Sequence, residues 1–213
     1  MIKKFKIFLL NYKIFGGRRW YQYFNFGNGI SNRKYIDERA VYRTESFVKF
    51  LKNIEWNSDE EIVDVGCNAG RYCYEMSNNV RRATGIEFSR RFVKQAKFLR
   101  YLYEKKGLDL KNVKIVYGDV MNNLELFDNA TTVILSKVLY HKNLNGAGEK
   151  ILERLSSNGV NRIIIQGHTT QGNMGEDKYI QDLLQKYNYS TQSIDHHEEY
   201  PIAIAIRKQS KEV

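Results

Sequence analysis

Between Glu61 and Arg207 the chain changes its hydrophobic period again and again, and that alternation narrows the fold more than any other property. Short β-branched runs at Glu61–Gly66, Arg82–Phe88, Val113–Tyr117, Thr131–Leu135 and Arg162–Gln166 read as strands. They alternate with stretches whose apolar residues recur at helical spacing, the pattern of βαβ units in an α/β sheet. Helices are expected over Arg71–Asn78, Arg90–Lys106 (Phe92, Ala96, Leu99 and Tyr103 on one face, Gly107 as the stop), Glu149–Leu155 and Glu176–Tyr187. The last two strand candidates, Thr191–Ile194 and Ile202–Arg207, are separated by a segment too short for a crossover helix, so they should pair antiparallel. The expected fold is therefore α/β, with a Rossmann-like, seven-stranded, mostly parallel sheet that ends in an antiparallel hairpin. At 213 residues, with no Pro-rich linker around the single proline Pro201, one core is expected.

Charge divides the chain. The net charge is +10, but eight basic residues from Lys3 to Lys34 precede the first acid, Asp37, which leaves +2 for everything after them. Residues 1–36 thus form a basic arm, interleaved with aromatic residues from Phe5 to Tyr35, ahead of a domain over residues 37–213. Such a segment can meet RNA through stacking rings and phosphate-binding cations, lie on an anionic membrane, or close over a cleft as a lid, and the arm is expected to add little to the fold. Apolar runs fall far short of the ~20 residues that span a bilayer. Lys6 and Lys13 interrupt the N-terminal one, and no small-x-small cleavage site follows, so the expected location is the cytoplasm, with the membrane periphery open through the arm. Cys67 and Cys73 form no CxxC pair and have no histidine cluster beside them, so no metal site is expected.

The chemistry gathers at strand ends. Asp64-x-Gly66-x-Asn68-x-Gly70 carries the first strand through a glycine-bearing turn into a helix, where backbone can approach a ligand closely. Glu87 ends the second strand, where a carboxylate can accept from both hydroxyls of a ribose. Gly118-Asp119-Val120 follows the third; an acid there can accept from the amine of adenine while Val120 covers a ring face. The dinucleotide fingerprint G-x-G-x-x-G is not completed after Gly66, and no Gly-Lys-Ser/Thr is present, which argues against NAD and P-loop readings.

In these motifs and their order, from about Glu61 to Arg207, the chain resembles the class I S-adenosylmethionine-dependent methyltransferases. Their D-x-G-x-G-x-G turn here carries Asn68 in place of the middle glycine, a residue that tolerates positive φ. The resemblance implies S-adenosylmethionine as cofactor, held by Asp64, Gly66, Cys67, Asn68, Gly70, Glu87, Asp119, Val120 and Ser136, and direct methyl transfer. Val138-Leu139-Tyr140-His141 after the fourth strand is similar to bacterial methyltransferases that include the tRNA wobble-uridine carboxymethyltransferase family, and His141 is the candidate acceptor-side base. The sequence lacks the Asp/Asn-Pro-Pro-aromatic motif of nucleobase amino methylation. Its cysteines lie in the first-strand motif and its helix, away from a place to serve C5 methylation, and Ser136-Lys137 stands where metal-dependent O-methylation needs a carboxylate. A small-molecule or glycan oxygen or nitrogen is the acceptor expected; a tRNA-modifying methyl- or carboxymethyltransferase and a non-catalytic S-adenosylmethionine-binding protein remain alternatives.

Overall fold

The computed structural model describes residues 22, 24–27, 30–31, 38–139, 147–167, 181–195 and 202–208. Seven strands make one sheet: β1 (Glu61–Val65), β2 (Arg82–Glu87), β3 (Val113–Tyr117), β4 (Thr132–Ser136), β5 (Arg162–Gln166), β6 (Tyr189–Asp195) and β7 (Ile202–Arg207). Their order across the sheet is β3-β2-β1-β4-β5-β7-β6. The first five are parallel, whereas β7 runs antiparallel to both β5 and β6. The expected hairpin is present, and its last strand is inserted between β5 and β6 instead of lying at the edge. Alternating Ile and Ala in β7 suit that interior place, with Ile202 and Ala205 both buried.

Helices cover the two faces. On one lie α1 (Glu38–Asn53), α2 (Arg71–Met76) and α3 (Arg90–Lys105); on the other lie α4 (Ala147–Ser157) and the helical residues 181–186. The strands feed both layers by alternation: Ile62, Ile134 and Ile164 point into the first, and Val63, Val65, Val133, Leu135, Ile163 and Ile165 into the second. Helix α1 was not expected from the strand–helix alternation, yet Thr44, Phe47, Val48 and Leu51 supply its buried face at the required spacing. Two residues of the arm are buried as well. Phe24 is 2% exposed and belongs to the core beside α1 and α2, and the Arg71 guanidinium lies 5.3 Å from its ring centroid. Gln22 accepts a hydrogen bond from the Arg71 backbone N–H at 3.4 Å through Oε1, satisfying one donor of the first turn of α2. The arm therefore contributes to the core through these residues. A short antiparallel ribbon, Asn25–Gly27 with Ile30–Ser31, follows them. No helix among the described residues is long and apolar enough to cross a membrane.

The topology decides where a ligand can sit. The chain leaves β1 outward to β2 and β3, then returns to the opposite side of β1 as β4, so the connections at the carboxyl ends of β1 and β4 diverge and open a crevice there.

Candidate functional site

A cavity of about 450 Å³ occupies that crevice. Its described walls come from four strand ends: Val65, Gly66 and Asn68 after β1, Glu87 and Phe88 at β2, Gly118, Asp119 and Val120 after β3, and Ser136, Lys137 and Val138 after β4. Phe92 of α3 closes one side.

The β1 turn has three residues in the left-handed region, Gly66 (φ 67), Asn68 (φ 53) and Gly70 (φ 72). Asn68 thus takes up the conformation expected of it, and its Nδ2 donates to the Gly66 carbonyl at 3.1 Å, a local bond that offsets the cost of a side chain there. The backbone N–H groups of Gly66 and Cys67 both donate to the Ile86 carbonyl, at 2.9 and 3.1 Å, which pins the turn to β2. Gly70 must remain glycine for space as well as φ, because an added Cβ would lie 2.7 Å from Ile115 Cδ1.

Glu87 is the hinge of the arrangement. Its Oε2 accepts from the Asn68 backbone N–H at 2.9 Å and its Oε1 from that of Ser89 at 2.8 Å, so the carboxylate is oriented at the cavity wall with lone pairs to spare. Burial pushes its carboxyl above the ordinary range, opposed by those N–H bonds. Asp119 Oδ1 accepts from the Met121 backbone N–H at 3.0 Å, and Val120 is buried below it. Ser136 Oγ donates to Gln166 Oε1 at 2.7 Å, and Gln166 Nε2 reaches the Arg43 carbonyl of α1 at 3.4 Å.

Six of the expected site residues thus converge on one cavity: Gly66, Asn68, Glu87, Asp119, Val120 and Ser136. Asp64, Cys67 and Gly70 stand behind its wall. Cys67 is 1% exposed and packs on β2, where a Cβ on Gly85 would meet its Sγ at 2.6 Å. Asp64 is 1% exposed, and its Oδ2 has no hydrogen-bond partner among the described residues. His141, with Tyr140, lies outside the described residues. Phe88, Phe92 and Lys137 line the cavity without having been assigned a role there; in sequence, nothing separates Phe88 and Phe92 from core aromatics.

Burial, and after it the nearby Glu87, hold the Asp64 carboxyl well above its ordinary value. The folded chain consequently keeps a proton on Asp64 at pH values where the unfolded chain, titrating near its ordinary value, has lost it. Stability from this group is full in acid and falls as pH rises from the unfolded pKa towards the folded one. Asp64→Asn should therefore gain stability relative to the parent as pH rises through that window. Urea denaturation of both across pH measures the difference, and a constant difference would refute it.

The residues fit S-adenosylmethionine on two counts: a preoriented acceptor at Glu87, and a second acid at Asp119 above an apolar floor. Both thiols are buried and burial pushes them up, so neither Cys67 nor Cys73 offers a thiolate to an acceptor.

Comparison with known proteins agrees with this geometry. A family model described as a methyltransferase domain matches residues 57–211. Among solved structures, magnesium protoporphyrin IX methyltransferase from Synechocystis PCC 6803, with bound SAM, superposes with a TM-score of 0.62 at 17% identity, covering 96% of this chain and 97% of that one. Precorrin-6y C5,15-methyltransferase from Geobacter metallireducens GS-15 gives a TM-score of 0.59 at 13% identity over 78% and 89% of the two chains. The methyltransferase domain of a bacterial Hen1 gives 0.58 at 16% identity over 78% and 97%. At such identities these likenesses concern the fold.

Proposed function

The chain belongs to the methyltransferase-domain family, enzymes that draw the methyl group from S-adenosylmethionine, and on that premise we propose that it methylates an oxygen or nitrogen of a small molecule or glycan by direct displacement. The observation that carries the site assignment is the meeting of three strand-end motifs in one cavity: the β1 turn, Glu87, and Asp119 with Val120. In this reading Gly66 and Asn68 border the methionine end, Glu87 accepts from the ribose hydroxyls, and Asp119 accepts from the adenine amine. Phe88 is 71% exposed and lines the cavity beside Glu87, the placement of a ring that stacks on a base. When bound, the cofactor supplies an activated methyl group, so the protein's main contribution is alignment of donor and acceptor. Absence of a Pro-Pro motif in the sequence, together with the buried thiols, supports an acceptor other than a nucleobase amine or pyrimidine C5.

Isothermal calorimetry tests the cofactor side directly. S-adenosylmethionine and S-adenosylhomocysteine should bind saturably, and NAD should give no heat, because the turn lacks the glycines that admit a pyrophosphate. Saturable NAD binding with no response to either sulfur compound would overturn the reading. For the acceptor, incubation with labelled S-adenosylmethionine and a fractionated small-molecule extract should transfer label to a low-molecular-weight species; transfer only to RNA would reject the small-molecule proposal.

A further inference from the structure

Lys137 is the one cationic residue among the described residues that line the cavity. It stands directly past the end of β4, on the side opposite the ribose-binding Glu87, in a backbone conformation that L-residues avoid (φ 63). Its N–H donates to the Gln166 carbonyl at 2.9 Å, so the neighbouring strand holds that conformation in place. Left-handed backbone is costly for a lysine, and strain of this kind persists where the surrounding structure enforces it, often at ligand-binding sites. The charged groups around it are unequal. Arg43 faces it from α1; Glu87 and Asp119 line the same cavity from β2 and β3; Tyr72 of α2, beside Ser136, is kept neutral by burial, which pushes its phenol far up.

Burial, reinforced by the like charge of Arg43, pushes the Lys137 ammonium down to about 7, so it exchanges its proton near neutrality. A sulfonium ligand adds a further positive charge to the cavity. An ammonium at Lys137 opposes that charge and an amine does not, while the amine also has the lone pair a proton acceptor needs.

We propose that Lys137, in the cavity wall past β4, is the proton acceptor of the methyl transfer, with Arg43 of α1 as its positioning residue; this rests on the reading of the cavity as an S-adenosylmethionine site. In the step, a lone pair of the acceptor's oxygen or nitrogen forms the bond to the methyl carbon, the carbon–sulfur electron pair stays with sulfur as a thioether, and the acceptor's proton passes to Nζ of Lys137. One positive charge is lost from sulfur and one appears on the lysine, so the cavity's total is unchanged.

The test needs no acceptor. S-adenosylmethionine and S-adenosylhomocysteine differ by the methyl group and its charge, so the ratio of their affinities isolates what opposes a sulfonium. Calorimetry of the full chain with both ligands should show that ratio falling about tenfold between about pH 8.5 and about pH 5.5, as two charges in one cavity require. S-adenosylmethionine binding should release a proton near pH 7, seen as a buffer-dependent heat. In Lys137→Met the ratio should be flat with pH. In Arg43→Gln the fall should begin at higher pH, because the ammonium has lost its like-charged neighbour. His141→Ala should keep the parent's profile. Lys137→Gln serves if the methionine variant does not fold. A flat ratio in the parent, a pH-dependent ratio that survives both Lys137 variants, or one abolished by His141→Ala would overturn the proposal while leaving the cofactor reading intact. Failure of both ligands to bind would remove the cofactor reading itself, and the proposal with it.

Discussion

Glu87→Ala should lower affinity for S-adenosylhomocysteine by about tenfold to a hundredfold, the effect of losing about 1.5–3 kcal/mol of hydrogen bonding to a charged acceptor in all. The substitution removes the proposed ribose acceptor and also strips the Asn68 and Ser89 N–H groups of the oxygens to which they now donate, at 2.9 and 2.8 Å. The β1 turn would then lose its tie to the carboxylate while keeping its tie to the Ile86 carbonyl, so the fold should survive with a looser binding loop. Glu87→Gln, which preserves shape and one acceptor oxygen, should fall between parent and alanine variant. Calorimetry at matched stability, checked by urea midpoints, reads both effects. Unchanged affinity in the alanine variant would take Glu87 out of the ribose role.

Phe24→Ala should destabilise the chain by about 3 kcal/mol or more, the usual cost of emptying a buried phenylalanine site. Phe24 is 2% exposed, packs in the core with Phe47 and Tyr72, and lies under the guanidinium of Arg71, the first residue of α2. That placement ties the end of the arm to the helix that follows the β1 turn, while neither Gln22 nor Phe24 lines the cavity. Deleting residues 1–21 removes six cations and no anions but spares both Gln22 and Phe24. The shortened chain should therefore keep nearly the parent's urea midpoint. If it also retains S-adenosylhomocysteine affinity but loses a salt-sensitive attachment to RNA or to anionic vesicles, the first 21 residues serve that surface. A midpoint for Phe24→Ala within about 0.5 kcal/mol of the parent would contradict the core role given to it.

Strand and helix identities were readable because each is a local pattern. Val113–Tyr117, Arg162–Gln166 and Ile202–Arg207 were bounded from sequence alone as the structure has them, since a β-branched run between turn residues has few other conformations to adopt. Glu87 and Asp119 were legible for a related reason: each closes such a run, and a parallel sheet brings the carboxyl ends of its strands to one edge. What sequence spacing did not contain was partnership between distant segments. The insertion of β7 between β5 and β6 depends on which edge offers hydrogen bonds and which faces are already covered, and α1 finds its place only because Phe47, Val48 and Leu51 meet α2 across the sheet's first face. In the sequence, Phe24 reads like any other aromatic of the arm, and only in the fold do Arg71 and the core close around it. Lys137 is the plainest case. A lysine after a strand looks like any solvated cation, and only the folded chain, by burying it in a cavity wall and setting Arg43 of a remote helix beside it, pushes its ammonium down to about 7, because desolvation and Coulomb repulsion act through space and have no counterpart along the sequence.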